Sequence, residues 1–116
     1  MRVEDGIQRS IVDYLEAVLA DVFVFAIPNA AIRNLGGRAG NAIPGLRKGM
    51  PDIEFLWNHG TFFLEVKTKT GRLSVDQIDC HAELRARDYP VATVCSIDEV
   101  RIALGLWGVI TREAAA

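Results

Sequence analysis

Residues 51–67 read PDIEFLWNHGTFFLEVK, two strand-like runs separated by Asn58-His59-Gly60. A turn this short between two such runs is typical of a β-hairpin, and it predicts strands from Ile53 to Trp57 and from Thr61 to Thr68. In a hairpin the beginning of the first strand lies beside the end of the second. The residues at those two positions are therefore brought together.

Three charged residues lie at that end of the hairpin. Asp52 opens the first strand, and Glu65 and Lys67 lie on the second. Because side chains alternate between the faces of a strand, Glu65 and Lys67 share one face and their apolar neighbours share the other. Two carboxylates and an amine over an apolar surface are typical of a site for a hard divalent cation, Mg²⁺ or Mn²⁺, with the backbone carbonyl of Val66 as a further ligand. Lys67 would orient a water or offset charge that grows on a phosphate.

A simpler explanation fits the same residues. Glu65 and Lys67 would form an ion pair on the protein surface, while Asp52 caps the hairpin. Each of these short patterns is common by itself. The apolar opposite face of the strand and the glycine-rich basic loop before Asp52 favour catalysis.

Length and composition limit what the protein can be. A chain of 116 residues suits one domain with its own core, and we treat 1–116 as a single domain. The apolar fraction of 50% suggests that a second copy covers part of the surface. Cys80 and Cys95 have neither disulfide nor zinc spacing, and no signal peptide or membrane span is evident. We expect a cytoplasmic protein.

The net charge of −2 gives the chain no overall attraction to nucleic acid, but its cations cluster locally. The segment from Pro28 to Pro51 contains four cations and no acid, and further cations follow the second strand of the hairpin. A solvated basic loop is the alternative to a binding surface. The predicted DNA-binding residues are Arg33, Arg38, Arg47, Lys48, Lys69 and Arg72.

Helices and strands are predicted on both sides of the hairpin. Apolar residues at intervals of three and four predict a helix over residues 4–20, and Val22 to Ile27 has the composition of a buried strand. After the hairpin we predict a helix from Ser74 to about Asp88, a strand from Val91 to Cys95 and a last helix. The order α-β-β-β-α-β-α predicts an α/β fold in which helices flank a mixed central sheet.

The first of these later helices carries two further candidates. Ser74 and Gln77 have the spacing of a capping box, which by itself explains a glutamine at that position. Ile78, Ala82 and Leu84, with polar residues between them, continue this helix to about Asp88. His81 would lie on the exposed side, so we predict that it is solvated, like His59 in the hairpin turn.

Three motifs together resemble one nuclease family. They are Gly49-Met50-Pro51-Asp52, Leu64-Glu65-Val66-Lys67 and the segment from Gly71 to Gln77, and the resemblance extends to both ends of the chain. The chain resembles the virus-type replication-repair nuclease domain, VRR-NUC, a branch of the PD-(D/E)xK superfamily. The resemblance implies a restriction-endonuclease-like core, Mg²⁺ or Mn²⁺ dependence and cleavage of DNA. Stand-alone members of this size resemble phage proteins that act as homodimers on branched DNA such as four-way (Holliday) junctions.

The resemblance also implies roles for individual residues. Asp52 and Glu65 would be metal ligands, Lys67 the catalytic lysine and Gln77 a supporting residue near the nucleophile. Glu4 matches the acidic position of the family's first helix, where a carboxylate reaches the metal directly or through water. An acid at a helix start also has an ordinary explanation, because it offsets the helix dipole.

These observations predict a metal-dependent endonuclease that selects DNA by its structure, in a bacterial or phage-infected cell. No candidate recognition helix or ribbon is evident, which disfavours base-specific cutting. Two alternatives stay open: a sequence-specific restriction or homing nuclease, and a non-catalytic DNA-binding subunit with the same fold. The apolar run 104–110 is the candidate subunit interface.

Overall fold

The computed structural model describes residues 3–28 and 44–115. The predicted order of helices and strands is confirmed, and one short helix follows at the end. None of the helices in the described ranges has the length and apolar character needed to cross a membrane. The elements are α1 (Val3–Val18), β1 (Phe23–Ala26), β2 (Ile53–Trp57), β3 (Gly60–Val66), α2 (Val75–Ala86), β4 (Val91–Val94), α3 (Ile97–Leu106) and α4 (Arg112–Ala115).

The four strands form one mixed sheet in the order β1-β2-β3-β4. The pairs β1/β2 and β2/β3 are antiparallel, while β3 and β4 run parallel and are joined through α2. The predicted hairpin is present, with Trp57 opposite Gly60. Asn58 and His59 both have positive φ, at 48° and 65°, as a two-residue hairpin turn of type I′ requires.

The helices lie on both faces of the sheet. α1 contacts β1, β3 and α3, and α3 also contacts β4, whereas α2 packs on the opposite face. The core lies between the sheet and the α1/α3 layer, because the alternate residues of β2 and β3 that point there are apolar. Its buried residues are Ile11, Leu15, Val18, Leu19, Ile53, Phe55, Leu64, Val66, Val94, Val100, Leu104 and Val109.

The first strand differs from its prediction. The apolar run in this region predicted a buried strand, but among the described strands β1 lies at the edge of the sheet beside β2, and its Phe23 is 63% exposed. Composition misled the prediction because both faces of this short strand are apolar. Only the face toward α1 is packed within the described residues, so the remaining aromatic side chains lie partly in solvent.

The second helix also differs from its prediction, which placed His81 on the exposed side. Its buried residues are Gln77, Cys80 and His81, whereas Ile78 is 52% exposed. The sheet offers this helix a carboxylate as well as apolar atoms. Polar side chains therefore point inward.

Two isoleucine substitutions test this assignment of faces. Ile11 is fully buried in α1, so Ile11→Ala should lower the free energy of unfolding by about 2–5 kcal/mol. Ile78→Ala removes the same atoms from a half-exposed position, and it should cost less than about 1 kcal/mol. Urea unfolding of both variants gives the comparison. Similar losses would contradict the orientation of α2.

Candidate active site

The sheet brings Asp52 and Glu65 together at one end of the β2/β3 pair. Ile53 pairs with Leu64, so the next position on each strand is occupied by Asp52 and Glu65. The side chain of Asp52 does not point into solvent. Its Oδ2 accepts a hydrogen bond of 2.8 Å from the backbone N–H of Val66, and its carbonyl accepts one of 2.8 Å from Ile27. The bond from Val66 fixes the carboxylate against β3, and the bond from Ile27 fixes the backbone of Asp52.

The carboxylate of Glu65 is held from the other side by α2. Gln77 donates from Nε2 to Oε2 at 3.3 Å, and His81 Nε2 lies 3.0 Å from Oε1. Glu65 is only 1% exposed. An ionised carboxylate this deeply buried is costly unless donors surround it, and the two side chains of α2 supply them.

Gln77 performs two tasks with one amide group. Its Oε1 accepts from the N–H of Ser74 at 2.9 Å, and its own N–H donates to Ser74 Oγ at 3.1 Å, so the predicted capping box is present. Its Nε2 remains available to donate to Glu65. From the sequence, capping the helix and supporting the site were alternative explanations for Gln77. In the structure the side chain caps the helix and also contacts Glu65. A glutamate at this position would cap the helix but repel Glu65.

The two carboxylates influence each other's charge. Burial, together with the hydrogen bond and negative charge of Glu65, raises the pKa of Asp52 to about 7. The Val66 N–H and the positive charge of Lys67 act in the opposite direction. Near neutral pH, ionising both carboxylates is therefore unfavourable, and a bound cation would offset the repulsion between them.

Lys67 follows β3 and is half-buried. Its N–H donates to the carbonyl of Val94 at 3.0 Å, which continues the β3/β4 ladder by one residue. Its ammonium lowers the pKa of both Asp52 and His81. The positive charge of Lys67 thus acts on the site.

The donor set suits a divalent cation that keeps water and substrate ligands. Asp52 and Glu65 supply hard oxygen atoms, and their mutual repulsion favours a positive ion between them. In residues 3–28 and 44–115, no three His, Cys, Asp or Glu side chains group closely enough to hold a metal ion. Glu4 is half-buried in the first turn of α1 and does not complete such a group, so its ligand role stays a prediction. The carbonyl of Val66 also stays a predicted ligand.

The predicted DNA-binding residues lie partly within the described chain. Arg47 and Lys48 are exposed just before Asp52, and Lys69 and Arg72 are exposed between β3 and α2. The first pair therefore precedes Asp52 by a few residues, and the second pair follows Lys67 by a few residues. The other two predicted contacts, Arg33 and Arg38, lie outside the described residues.

The prediction for His81 is wrong. We expected a solvated side chain, but His81 is 1% exposed and contacts Glu65. Its spacing of four from Gln77 was the available signal, because residues i and i+4 share one face of a helix. Its acid partner, Glu65, is distant in sequence and becomes a neighbour only when α2 packs on β3.

Gly49 explains how the loop before Asp52 approaches α2. Its φ is +85°, and a Cβ atom built on it would lie 2.7 Å from the backbone nitrogen of Gln77, closer than real contacts allow. Glycine is therefore required both by the left-handed backbone and by the close approach. The loop can then place Asp52 and the start of α2 side by side.

The chain thus combines an aspartate after proline with a Glu-x-Lys motif at the end of the adjacent strand, the residue pattern for which the PD-(D/E)xK nucleases are named. The model of the VRR-NUC domain matches residues 4–97, and the chain belongs to this family. The predicted family is confirmed. Membership implies a nuclease that acts on DNA, and nucleases of this superfamily generally use divalent metals.

A solved structure described as a VRR_NUC domain has the same fold. It superposes with a TM-score of 0.67 over 90% of this chain and 97% of that one, at 20% sequence identity. No curated protein matches the chain in sequence. The predicted α/β fold, a restriction-endonuclease-like mixed sheet with flanking helices, is therefore confirmed.

Two glycine substitutions test the approach of the loop to α2. Gly45 and Gly49 both have positive φ, but a Cβ on Gly45 would meet nothing within 4 Å. Gly45→Ala should cost only the backbone strain of about 1–2 kcal/mol. Gly49→Ala adds overpacking against α2 and should cost about 1–3 kcal/mol more. Urea unfolding measures the difference, and equal losses would contradict the packing described for Gly49.

The raised pKa of Asp52 predicts how stability depends on pH in the presence of a chelator. Folded Asp52 keeps its proton up to about pH 7, whereas an unfolded aspartate loses it near pH 4. Between these values the folded state binds more protons, so the free energy of unfolding should fall as pH rises, by at most about 1.4 kcal/mol per unit. Asp52→Asn imitates the protonated carboxyl, and it should remove this fall.

Urea unfolding of the wild type and Asp52→Asn from about pH 4 to pH 8 measures the contribution of Asp52 together with its coupling to Glu65 and His81. His81 itself contributes with the opposite sign because burial lowers its pKa, but it is present in both proteins. Identical pH dependence in the two proteins would show that Asp52 does not titrate near neutrality.

Proposed function

We propose that the protein is an endodeoxyribonuclease that requires Mg²⁺ or Mn²⁺ and cuts branched DNA, such as four-way junctions, as a homodimer. The observation that carries this proposal is the juxtaposition of the Asp52 and Glu65 carboxylates beside the charge of Lys67. Glu65 is buried, Asp52 is half-buried and both are held by hydrogen bonds, which a chance ion pair on the surface would not require.

The residues divide the chemistry between them. Asp52, Glu65 and the carbonyl of Val66 would hold the divalent ion, which when bound supplies activation of a water and shielding of the phosphate. Lys67 would place a positive charge next to the phosphate oxygens as negative charge grows on them during attack. Gln77 would hold Glu65 in place through the hydrogen bond from Nε2.

The exposed cations next to the site suit the DNA backbone. Arg47 and Lys48 precede Asp52, and Lys69 and Arg72 follow Lys67. Charges of this kind contact phosphates, hold the duplex in position and read no sequence, and they are screened by salt. This supports selection of DNA by shape rather than by bases. Arg33 and Arg38 are proposed to join the same surface.

A homodimer is supported by apolar side chains near the end of the chain. In the predicted interface run, Leu104 and Val109 are buried in the core, while Leu106 is 82% exposed and Ile110 is 66% exposed. Two such neighbours in solvent are typical of a surface that another copy covers. Two equivalent sites related by a two-fold axis suit a symmetric junction, because each can cut one strand.

Two substitutions test the catalytic assignment on a labelled four-way junction with Mn²⁺ or Mg²⁺. Lys67→Met and Glu65→Gln should each lower the cleavage rate by about 100-fold or more, because one removes the charge beside the phosphate and the other weakens the metal site. Glu16→Gln changes an exposed acid on α1 and should cleave as the wild type does. Normal cleavage by either site variant would show that the assignment is wrong.

Comparison of DNA substrates separates the rival functions. Metal-dependent cutting of the junction, but not of a linear duplex, supports the proposal. Cuts at a fixed sequence in linear duplex would instead identify a sequence-specific nuclease. A gel shift of the junction without products under any metal would identify a non-catalytic DNA-binding subunit.

A further inference from the structure

The buried histidine of α2 has no part in the chemistry assigned above. His81 is 1% exposed, and its Nε2 lies 3.0 Å from Glu65 Oε1. Among the residues that the structure describes, its Nδ1 is buried with no hydrogen-bond partner. A leucine would fill the same space without an unpaired polar atom, so the contact with Glu65 needs another explanation.

The chemistry of the contact assigns the ring proton. An ionised carboxylate only accepts hydrogen bonds, so Nε2 of His81 must carry a proton toward Glu65. In the described part of the chain no acceptor contacts Nδ1, and burial and the charge of Arg85 lower the pKa of the imidazole. A neutral imidazole with its proton on Nε2 satisfies all these observations.

Gln77 and His81 act on Glu65 as a pair. They lie one helical turn apart on α2, and each donates to a different oxygen of the same carboxylate. Rotation of the carboxylate would break at least one of these bonds. The plane of the Glu65 carboxylate is therefore fixed by the position of α2 relative to β3.

The two donors also share a second property, because both are neutral. A lysine or arginine in place of His81 would form an ion pair with Glu65 and cancel the charge that attracts a metal ion. A neutral donor orients the carboxylate and leaves its negative charge available. Ligand-orienting residues of this kind typically affect metal affinity by about 10- to 100-fold.

We propose that His81 is a positioning residue that orients the Glu65 carboxylate for a divalent cation while preserving its charge. This inference rests on the proposed function of the Asp52 and Glu65 pair as the metal site. His81 itself touches neither the metal nor the DNA. Its effect passes through Glu65.

The test compares two substitutions at this position by calorimetric titration of the chelator-treated protein with Mn²⁺. His81→Leu removes the donor and keeps the volume, so the dissociation constant for Mn²⁺ should rise about tenfold or more. His81→Gln retains an N–H donor near the place of Nε2, and it should stay within about threefold of the wild type. The Mn²⁺ concentration that gives half-maximal cleavage of a junction should shift in the same way.

A neighbouring buried residue provides the control. Cys80 also faces the sheet from α2, but its sulfur contacts Met50 rather than the carboxylates. Cys80→Ala should lower thermal stability without changing Mn²⁺ affinity. If His81→Leu does not fold, His81→Asn serves as the variant without the donor, because its side chain is too short to reach Glu65.

The outcomes separate this inference from the proposed function. Unchanged Mn²⁺ affinity in His81→Leu, or equal losses in the leucine and glutamine variants, would overturn the positioning role even if the wild type cuts DNA. A wild type that binds Mn²⁺ but cuts no DNA would overturn the nuclease proposal, while the titrations would still decide the role of His81. A wild type that binds no Mn²⁺ would overturn both.

Discussion

The burial of one carboxylate is the constraint on which the rest of the site depends. Glu65 lies at 1% exposure between the sheet and α2, where an ionised group without donors would cost several kcal/mol, on the order of the whole stability of a small domain. Gln77 and His81 offset that cost by donating to its two oxygens. The orientation of α2, the capping of its first turn and the close approach of Gly49 all serve this contact.

The same contact creates a conflict between stability and function. Asp52 is fixed beside Glu65 by the N–H of Val66, and burial together with the hydrogen bond and negative charge of Glu65 raises its pKa to about 7. Two carboxylates so close together destabilise the folded chain when both are ionised, but they also attract a cation strongly. Lys67 relieves part of the repulsion without removing the negative charge of the pair. A site of this kind trades stability for affinity toward a divalent ion.

Much of the architecture could be predicted because its signals are local. The hairpin follows from the turn at Asn58 and His59, and α1 follows from apolar residues at helical intervals. Whether a strand lies at the edge of a sheet, and which face of a helix is packed, depends on segments that are distant in sequence. Phe23 appeared buried because its run is apolar, although its strand lies at the sheet edge, and His81 appeared solvated because no acid lies near it in sequence, although α2 turns it toward Glu65. Both errors arose because neighbours in sequence do not show which face of an element is packed.

The sequence by itself determined the order of elements, the family and the convergence of Asp52 with Glu65, because alternation along paired strands is a property of neighbouring residues. The resemblance to the family also identified Gln77 as a supporting residue. Only the tertiary structure decided that the same glutamine holds Glu65 and that His81 is its second donor. The physical reason is that a buried charge is stabilised by partners that are near in space, whereas His81 lies 16 positions from Glu65 along the chain.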